Sequence, residues 1–331
     1  MCGIVYTKRL DGKVAHKQVI KRYEAQADRG SDGFGYVSLT DGLVSDYARA
    51  TTEEAIMDRM EKDKSSEILF HHRLPTSTPN FAETAHPILI SNKLLKCDYY
   101  VIHNGIISDD KELKAKHEKM GFAYNTEVVQ KWRQGENIIS KSKMWNDSEA
   151  LAIELALAIE AEAPKLDITG SIAFIALQVE KNTRKAKKLY YGRNASNPLK
   201  LDIQKKQFFV LASEGSGQDI STDTLYSFDY DTFKIDERAF VIGKSYFAER
   251  WGYNTDNWYD AGGKYTDSYK ATDQEQYYTL LEHKYYLEEK IALAQCDDED
   301  LAEMQEDLDE VEDEIADYEA DELQTALKMP F

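Results

Sequence analysis

A cysteine stands second in the chain, in Met1-Cys2-Gly3-Ile4-Val5. Loss of the initiator methionine, usual before so small a side chain, leaves Cys2 with a thiol and a free α-amine on one residue. A thiolate is a strong nucleophile, and an α-amine with a reference pKa of about 7.7–8.0 can act as the base that generates it. Further on, Val101-Ile102-His103-Asn104-Gly105 sets a side-chain amide and a glycine N–H at the end of an apolar run. Those are the two donors that an oxyanion hole needs. His71-His72-Arg73-Leu74-Pro75-Thr76 closes another run with a guanidinium and a hydroxyl, donors suited to a carboxylate. Asn146-Asp147-Ser148-Glu149 opens a helical pattern with an acid, and Arg29-Gly30-Ser31-Asp32-Gly33-Phe34-Gly35 is a glycine-punctuated turn before a strand. Ala85-His86-Pro87 follows a polar loop. Taken singly, each pattern has an ordinary structural use as a cap, a turn or a surface ion pair.

The elements that must position these residues alternate along the first two-thirds of the chain. Short β-rich runs predict strands at Gly3–Thr7, Gly35–Leu39, Glu67–His72, Tyr99–His103, Ser171–Val179, Lys188–Tyr191 and Gln207–Ala212. A further β-rich segment runs from Leu225 to Gly243. Helices are predicted at Lys17–Asp28, Thr52–Asp63, Asp109–Met120, Val128–Arg133 and Asp147–Glu162. Runs such as Ile172-Ala173-Phe174-Ile175-Ala176-Leu177 are apolar without alternation, which predicts sheets covered on both faces.

The 331 residues carry a net charge of −19, but the acidity is local. Asp297 to Glu322 holds 16 acidic residues and no Lys or Arg, so removing that segment leaves −3 for the rest. No basic footprint for nucleic acid is present. Cys2, Cys97 and Cys296 form no Cys-x-x-Cys pair, which predicts neither a disulfide framework nor a metal site and fits a reducing, cytoplasmic setting. His71, His72, His86 and His103 lack carboxylate or thiol partners at ligand spacing, so no metal and no cofactor are expected. No export signal or apolar span of membrane length is read, so no membrane association is expected. Near the C-terminus, Leu301, Met304, Leu308, Val311, Ile315 and Tyr318 step by threes and fours, a heptad seam. Three segments follow from these patterns: a body over 2–243, a linker packed on it over 244–272, and an acidic helical hairpin or coiled-coil arm over 273–331.

In this order and together, the motifs resemble the glutaminase domain of class II glutamine amidotransferases, in the N-terminal-nucleophile hydrolase superfamily. Cys-Gly-Ile, Arg-Gly-x-Asp-Gly-x-Gly, His-x-Arg-x-x-Thr, Ala-His-Pro, His-Asn-Gly and the Asp-Ser-Glu helix start all recur there, over about residues 2 to 243. The resemblance implies an α+β fold, the four-layer αββα sandwich of that superfamily, here followed by a C-terminal α-helical hairpin. It implies that Cys2 attacks the amide of L-glutamine while its α-amine shuttles the proton. Asn104 and Gly105 would hold the oxyanion. Arg73, with Thr76 and Ser77, would hold the substrate carboxylate, and Asp147 the α-ammonium. Arg29 would order the site, with His86 and His103 as scaffold. The Gly121–Asp147 segment is longer than the family pattern, and Thr126-Glu127-Val128 competes with Asp147 for the alignment. No synthase motif follows the body. The expected protein is thus a glutaminase subunit serving an ammonia-accepting synthase partner, with the acidic arm docking that partner or a second copy of the chain. A hydrolase of another γ-glutamyl amide, or a non-catalytic scaffold binding through its arm, is the alternative.

Overall fold

The predicted alternation of strands and helices is present in the computed structural model. It describes residues 2–10, 16–26, 29–63, 65, 67–74, 78, 80–134, 137–204, 208–215, 217–244 and 308. The chain divides into two units, Met1–Tyr253 and Asn254–Phe331. Lys244 and Leu308 apart, the expected linker and acidic arm lie outside the described residues.

In chain order the elements begin with β1 (Gly3–Arg9), α1 (His16–Glu24), β2 (Gly33–Thr40), β3 (Leu43–Ala50), α2 (Glu53–Asp63) and β4 (Glu67–Arg73). They continue with β5 (Ile88–Ile90), β6 (Cys97–Asn104), α3 (Asp110–Met120), β7 (Val128–Gln134), β8 (Asn137–Met144) and α4 (Ser148–Glu160). Then come β9 (Lys165–Thr169), β10 (Ala173–Glu180), β11 (Ala186–Arg193), β12 (Lys200–Gln204) and β13 (Phe208–Ala212). Last are β14 (Gln218–Asp219), β15 (Thr224–Asp229), β16 (Ile235–Ala239) and β17 (Val241–Lys244).

Two antiparallel sheets result, in the orders β14-β12-β13-β1-β4-β2-β3 and β16-β15-β11-β10-β6-β5. The period of two along a strand decides where each side chain goes. Ile4 and Tyr6 of β1 meet Ala173, Ile175 and Leu177 of β10 in a core between the sheets. Val5, between them in sequence, points the other way and packs with Val19 and Tyr23 of α1 and Ile56 and Met60 of α2. Likewise Phe174 and Ala176 of β10 face Leu113 of α3 and Leu151 and Leu155 of α4. Helices therefore cover the outer face of each sheet, and the central strands are apolar on both sides. Among the described residues no helix is long and apolar enough to cross a membrane.

One predicted helix is a strand. Val128–Arg133 lies in β7, paired with β8 as a separate two-stranded ribbon with a register shift between Trp132 and Arg133. Val128, Val129, Trp132, Ile138 and Ile139 are β-branched or aromatic and favour a pleated surface over a short helix. This ribbon accounts for the extra length between Gly121 and Asp147.

At the start of β4 and the end of β1 a buried polar cluster joins the sheets. Lys8 pairs with Glu67. The hydroxyls of Tyr6 and of Tyr230, just past β15, lie 2.9 and 2.5 Å from Glu67 Oε1 and 2.8 Å from each other. Burial, and then the carboxylate, holds both phenols well above their ordinary pKa, so they stay neutral.

Candidate active site

Four elements converge at the opposite rim of the sandwich. The antiparallel register of β1 and β4, Gly3 opposite His72, brings the start of the chain to the end of β4. The Cys2 thiol faces the Leu74 carbonyl oxygen at 3.6 Å, and its backbone N–H donates to Asn104 Oδ1 at 3.1 Å. That bond orients the amide. With Oδ1 turned toward Cys2, Nδ2 is buried and meets no acceptor among the described residues. Leaving such a donor unmet costs about 1–3 kcal/mol, so its retention needs a reason.

The bend that follows is held from two sides. Gly105 has φ +136°, where an L side chain is strained. A Cβ there would overlap the Ser171 carbonyl oxygen and lie 2.8 Å from Asn197 Nδ2. Asn197 Nδ2 donates to the Asn104 carbonyl oxygen at 3.1 Å, and Ile106 N–H donates to Ser171 Oγ at 3.0 Å. Arg29 completes the Cys2 surroundings. Its Nε donates to the Cys2 carbonyl oxygen at 3.2 Å, and its guanidinium pairs with Glu214.

Arg73 is buried at the end of β4, opposite Gly33. Its Nη2 donates to Thr78 Oγ1 at 2.6 Å and to the Thr78 carbonyl oxygen at 2.9 Å, and Nη1 to Thr84 Oγ1 at 3.2 Å. Asn146 Nδ2 donates to the Thr84 carbonyl oxygen at 2.7 Å. Thr84 thus ties Arg73 to the start of α4, where Asp147 is the N-cap residue. Asp147 Oδ2 accepts from Ile107 N–H at 2.7 Å, two residues past Gly105. Thr126, from the competing string, donates its hydroxyl to Glu149 Oε2 at 2.6 Å and accepts from Asn146 N–H at 2.9 Å. It supports the helix start instead of forming one.

His103 links the two halves of the rim. Its Nε2 lies 3.1 Å from the Ser171 carbonyl oxygen and so carries the proton, which leaves Nδ1 to accept from the Ser148 hydroxyl at 2.8 Å. Burial pushes its pKa down, with the Asp147 carboxylate pulling the other way. His71 Nε2 donates to the His103 carbonyl oxygen at 3.0 Å, and His86 packs on the His71 ring with centroids 4.1 Å apart. Burial holds both rings well below their ordinary pKa. Neutral, sandwiched rings of this kind hold the rim together.

Cys2, Arg29, Arg73, Asn104, Gly105, His103 and Asp147 therefore share one hydrogen-bonded rim, with His86 behind it. Thr76 and Ser77 lie outside the described residues. Sequence reasoning missed Thr78, Thr84, Asn146 and Asn197. Only Asn146, next to Asp147, carried a signal; Thr78 and Thr84 accept from Arg73 across a loop, and the Thr84–Asn146 and Asn197–Asn104 contacts run through backbone carbonyls distant in sequence. Among the described residues no group of three or more His, Cys, Asp or Glu side chains could hold a metal ion.

No family model matches the chain. Over 135 residues, 39% of the chain, it is 34% identical to the glutamine–fructose-6-phosphate aminotransferase (isomerizing) of Sulfolobus acidocaldarius. It is 32% identical over 134 residues to that of Sulfurisphaera tokodaii. Each match spans only 22% of the relative's length. Among solved structures, an allosteric regulatory enzyme of purine biosynthesis superposes with a TM-score of 0.50 at 14% identity, over 72% of this chain and 49% of that one, and so shares the fold. The class II glutamine aminotransferase domain protein of Silicibacter pomeroyi superposes with a TM-score of 0.39 at 14% identity, over 73% of this chain and all of that one.

Proposed function

We propose that this chain, which belongs with the class II glutamine amidotransferases in its motifs, its aligned sequence and its fold, releases ammonia from the side-chain amide of L-glutamine. The Cys2 thiolate attacks the amide carbon. The α-amine of Cys2 takes the thiol proton and returns it to the departing ammonia, and water then hydrolyses the thioester to glutamate. Asn104 Nδ2 and the Gly105 N–H receive the oxyanion. Arg73 receives the substrate carboxylate, supported by Thr76 and Ser77, and Asp147 receives the ammonium. In this reading the ammonia passes to an acceptor bound by a synthase partner.

One observation carries the reading: a buried amide donor with no partner among the described residues, on the residue whose other amide atom already grips the N–H of Cys2. The test turns on that nitrogen. Protein whose first residue is Cys2 is expected to release glutamate from glutamine. The same protein with a short extension ahead of Cys2 is expected to lose that activity, because an amide nitrogen cannot take the thiol proton. Equal turnover by both forms rules out the amine as base, and none by either rules out the glutaminase.

Recognition makes a second prediction. Arg73→Lys keeps the charge but loses the planar fork that also grips Thr78 and Thr84. Charge-assisted hydrogen bonds are worth about 1.5–3 kcal/mol, so KM for glutamine is expected to rise about tenfold or more. Asp147→Asn is expected to act in the same direction through the ammonium. An unchanged KM in steady-state kinetics of Asp147→Asn would remove Asp147 from the substrate site.

A further inference from the structure

A second carboxylate, Asp110, lies within electrostatic reach of the proposed ammonium anchor. Asp110 is the first residue of α3, and Asp147 is the N-cap of α4. Two hydrogen bonds cross-tie their segments. Trp145 Nε1–H donates to Asp110 Oδ2 at 2.8 Å, and Ile107 N–H donates to Asp147 Oδ2 at 2.7 Å. The indole needs only an acceptor, and a neutral amide oxygen would serve it. The negative charge also suits the first turn of α3, where the Lys111 N–H favours it, but it stands within electrostatic reach of a second carboxylate, Asp147.

We propose that Asp110 is a positioning residue for the substrate ammonium: through Trp145 it sets the Asn146–Asp147 turn, and its charge adds to that of Asp147. The proposal rests on the glutaminase reading above and goes beyond it in naming what the ammonium pocket requires.

The surroundings of Asp110 fix the sign of its pH dependence. Burial, and then Asp147, push it up to about 6, while the Trp145 N–H and Lys111 favour its ionised form. On the other faces, the carboxylate of Asp109 accepts from Thr169 N–H, and Lys114 engages Glu118 and Glu127. Tyr124 keeps a neutral phenol, its pKa raised chiefly by burial. Asp110 is thus mostly protonated at pH 5 and ionised at pH 8. A cation arriving at Asp147 favours the ionised form, so binding and ionisation are linked. Affinity for a ligand with an ammonium group falls as pH drops through about 6. A ligand without that group does not respond.

The test uses Cys2→Ala protein, which binds without turnover, titrated by calorimetry between pH 5 and pH 8. The two ligands are glutamine and glutaramate, which is glutamine without its α-amino group. Kd for glutamine is expected to rise about tenfold from pH 8 to pH 5, the factor by which the ionised fraction of a group titrating near 6 falls. Adding Asp110→Asn is expected to flatten that rise and to leave glutaramate binding as it was. Trp145→Phe, which keeps Asp110 but removes the N–H that favours its ionised form, is expected to move the rise to higher pH. The same slope with and without Asp110 overturns the proposal, as does an equal slope for glutaramate. No glutamine binding at any pH overturns the glutaminase reading, and this proposal with it.

Discussion

Cys2→Ala protein is expected to release no glutamate from glutamine and to take up no diazo-oxo-norleucine, an electrophilic glutamine analogue. Cys97→Ala and Cys296→Ala are expected to turn over and to label as the parent does. Cys97 opens β6, the strand that Asn104 ends, so at about 3.4 Å per residue it lies roughly 24 Å from the rim. Burial also raises the pKa of its thiol and keeps it from being a thiolate. Cys2 lies at the rim itself. It is only partly buried, its backbone nitrogen meets Asn104, and its thiol faces the Leu74 carbonyl oxygen. Mass spectrometry of the labelled peptide, beside a glutamate assay, decides the matter. Hydrolysis by Cys2→Ala at a rate near that of the parent would remove the nucleophile from the mechanism.

The second large effect is expected at the oxyanion donors. Asn104→Asp keeps an acceptor for the Cys2 N–H but replaces the Nδ2 donor with a carboxylate oxygen, so it removes the donor and adds a repelling charge where the oxyanion forms. Loss of one such donor lowers kcat by about 100–1000-fold, or about 2.7–4 kcal/mol. KM is expected to change far less. Gly105→Ala attacks the same site through the backbone. Its Cβ would overlap the Ser171 carbonyl oxygen, and the strand end cannot yield without also moving Asn197. Turnover is expected to fall below detection while far-UV circular dichroism still reports a folded sandwich. If Asn104→Asp retains kcat, the unpartnered amide has another purpose.

The residues that the structure gathers at the rim were legible in the sequence because each sits in a short string whose neighbours are fixed by the same need. Asn104 needs the close approach of Gly105, and Cys2 needs a small residue that continues a strand. Strand positions were legible where both faces are buried, as in Ala173–Glu180, because an unbroken apolar run has few other uses. β3 was not. Its Ser45, Asp46, Tyr47 and Arg49 reflect a sheet-edge position and mask the strand. Val128–Arg133 was misread because six residues cannot separate a helix from a strand by period, and its pairing partner lay beyond the next turn. Thr84 and Asn197 were invisible for a different reason. Each works through contact with a segment more than 60 residues away, and local pattern holds no trace of that. The relation between Asp147 and Thr126-Glu127 was likewise not legible: Thr126 braces, through Glu149, the helix whose N-cap position Asp147 occupies.

The two ends of β1 and β4 also differ thermodynamically. At one end Lys8, Glu67, Tyr6 and Tyr230 satisfy one another, and nothing that binds can improve them. At the other, the Asn104 Nδ2 meets no acceptor among the described residues, and a bound ligand can bring one. A molecule that does so is a missing piece of the fold as well as a ligand, and it shifts the unfolding equilibrium by mass action. Heat therefore reads the site without chemistry. Compounds that the protein holds but never cleaves declare themselves as a higher melting temperature, and the far end, already closed, supplies the constant background against which that rise is seen.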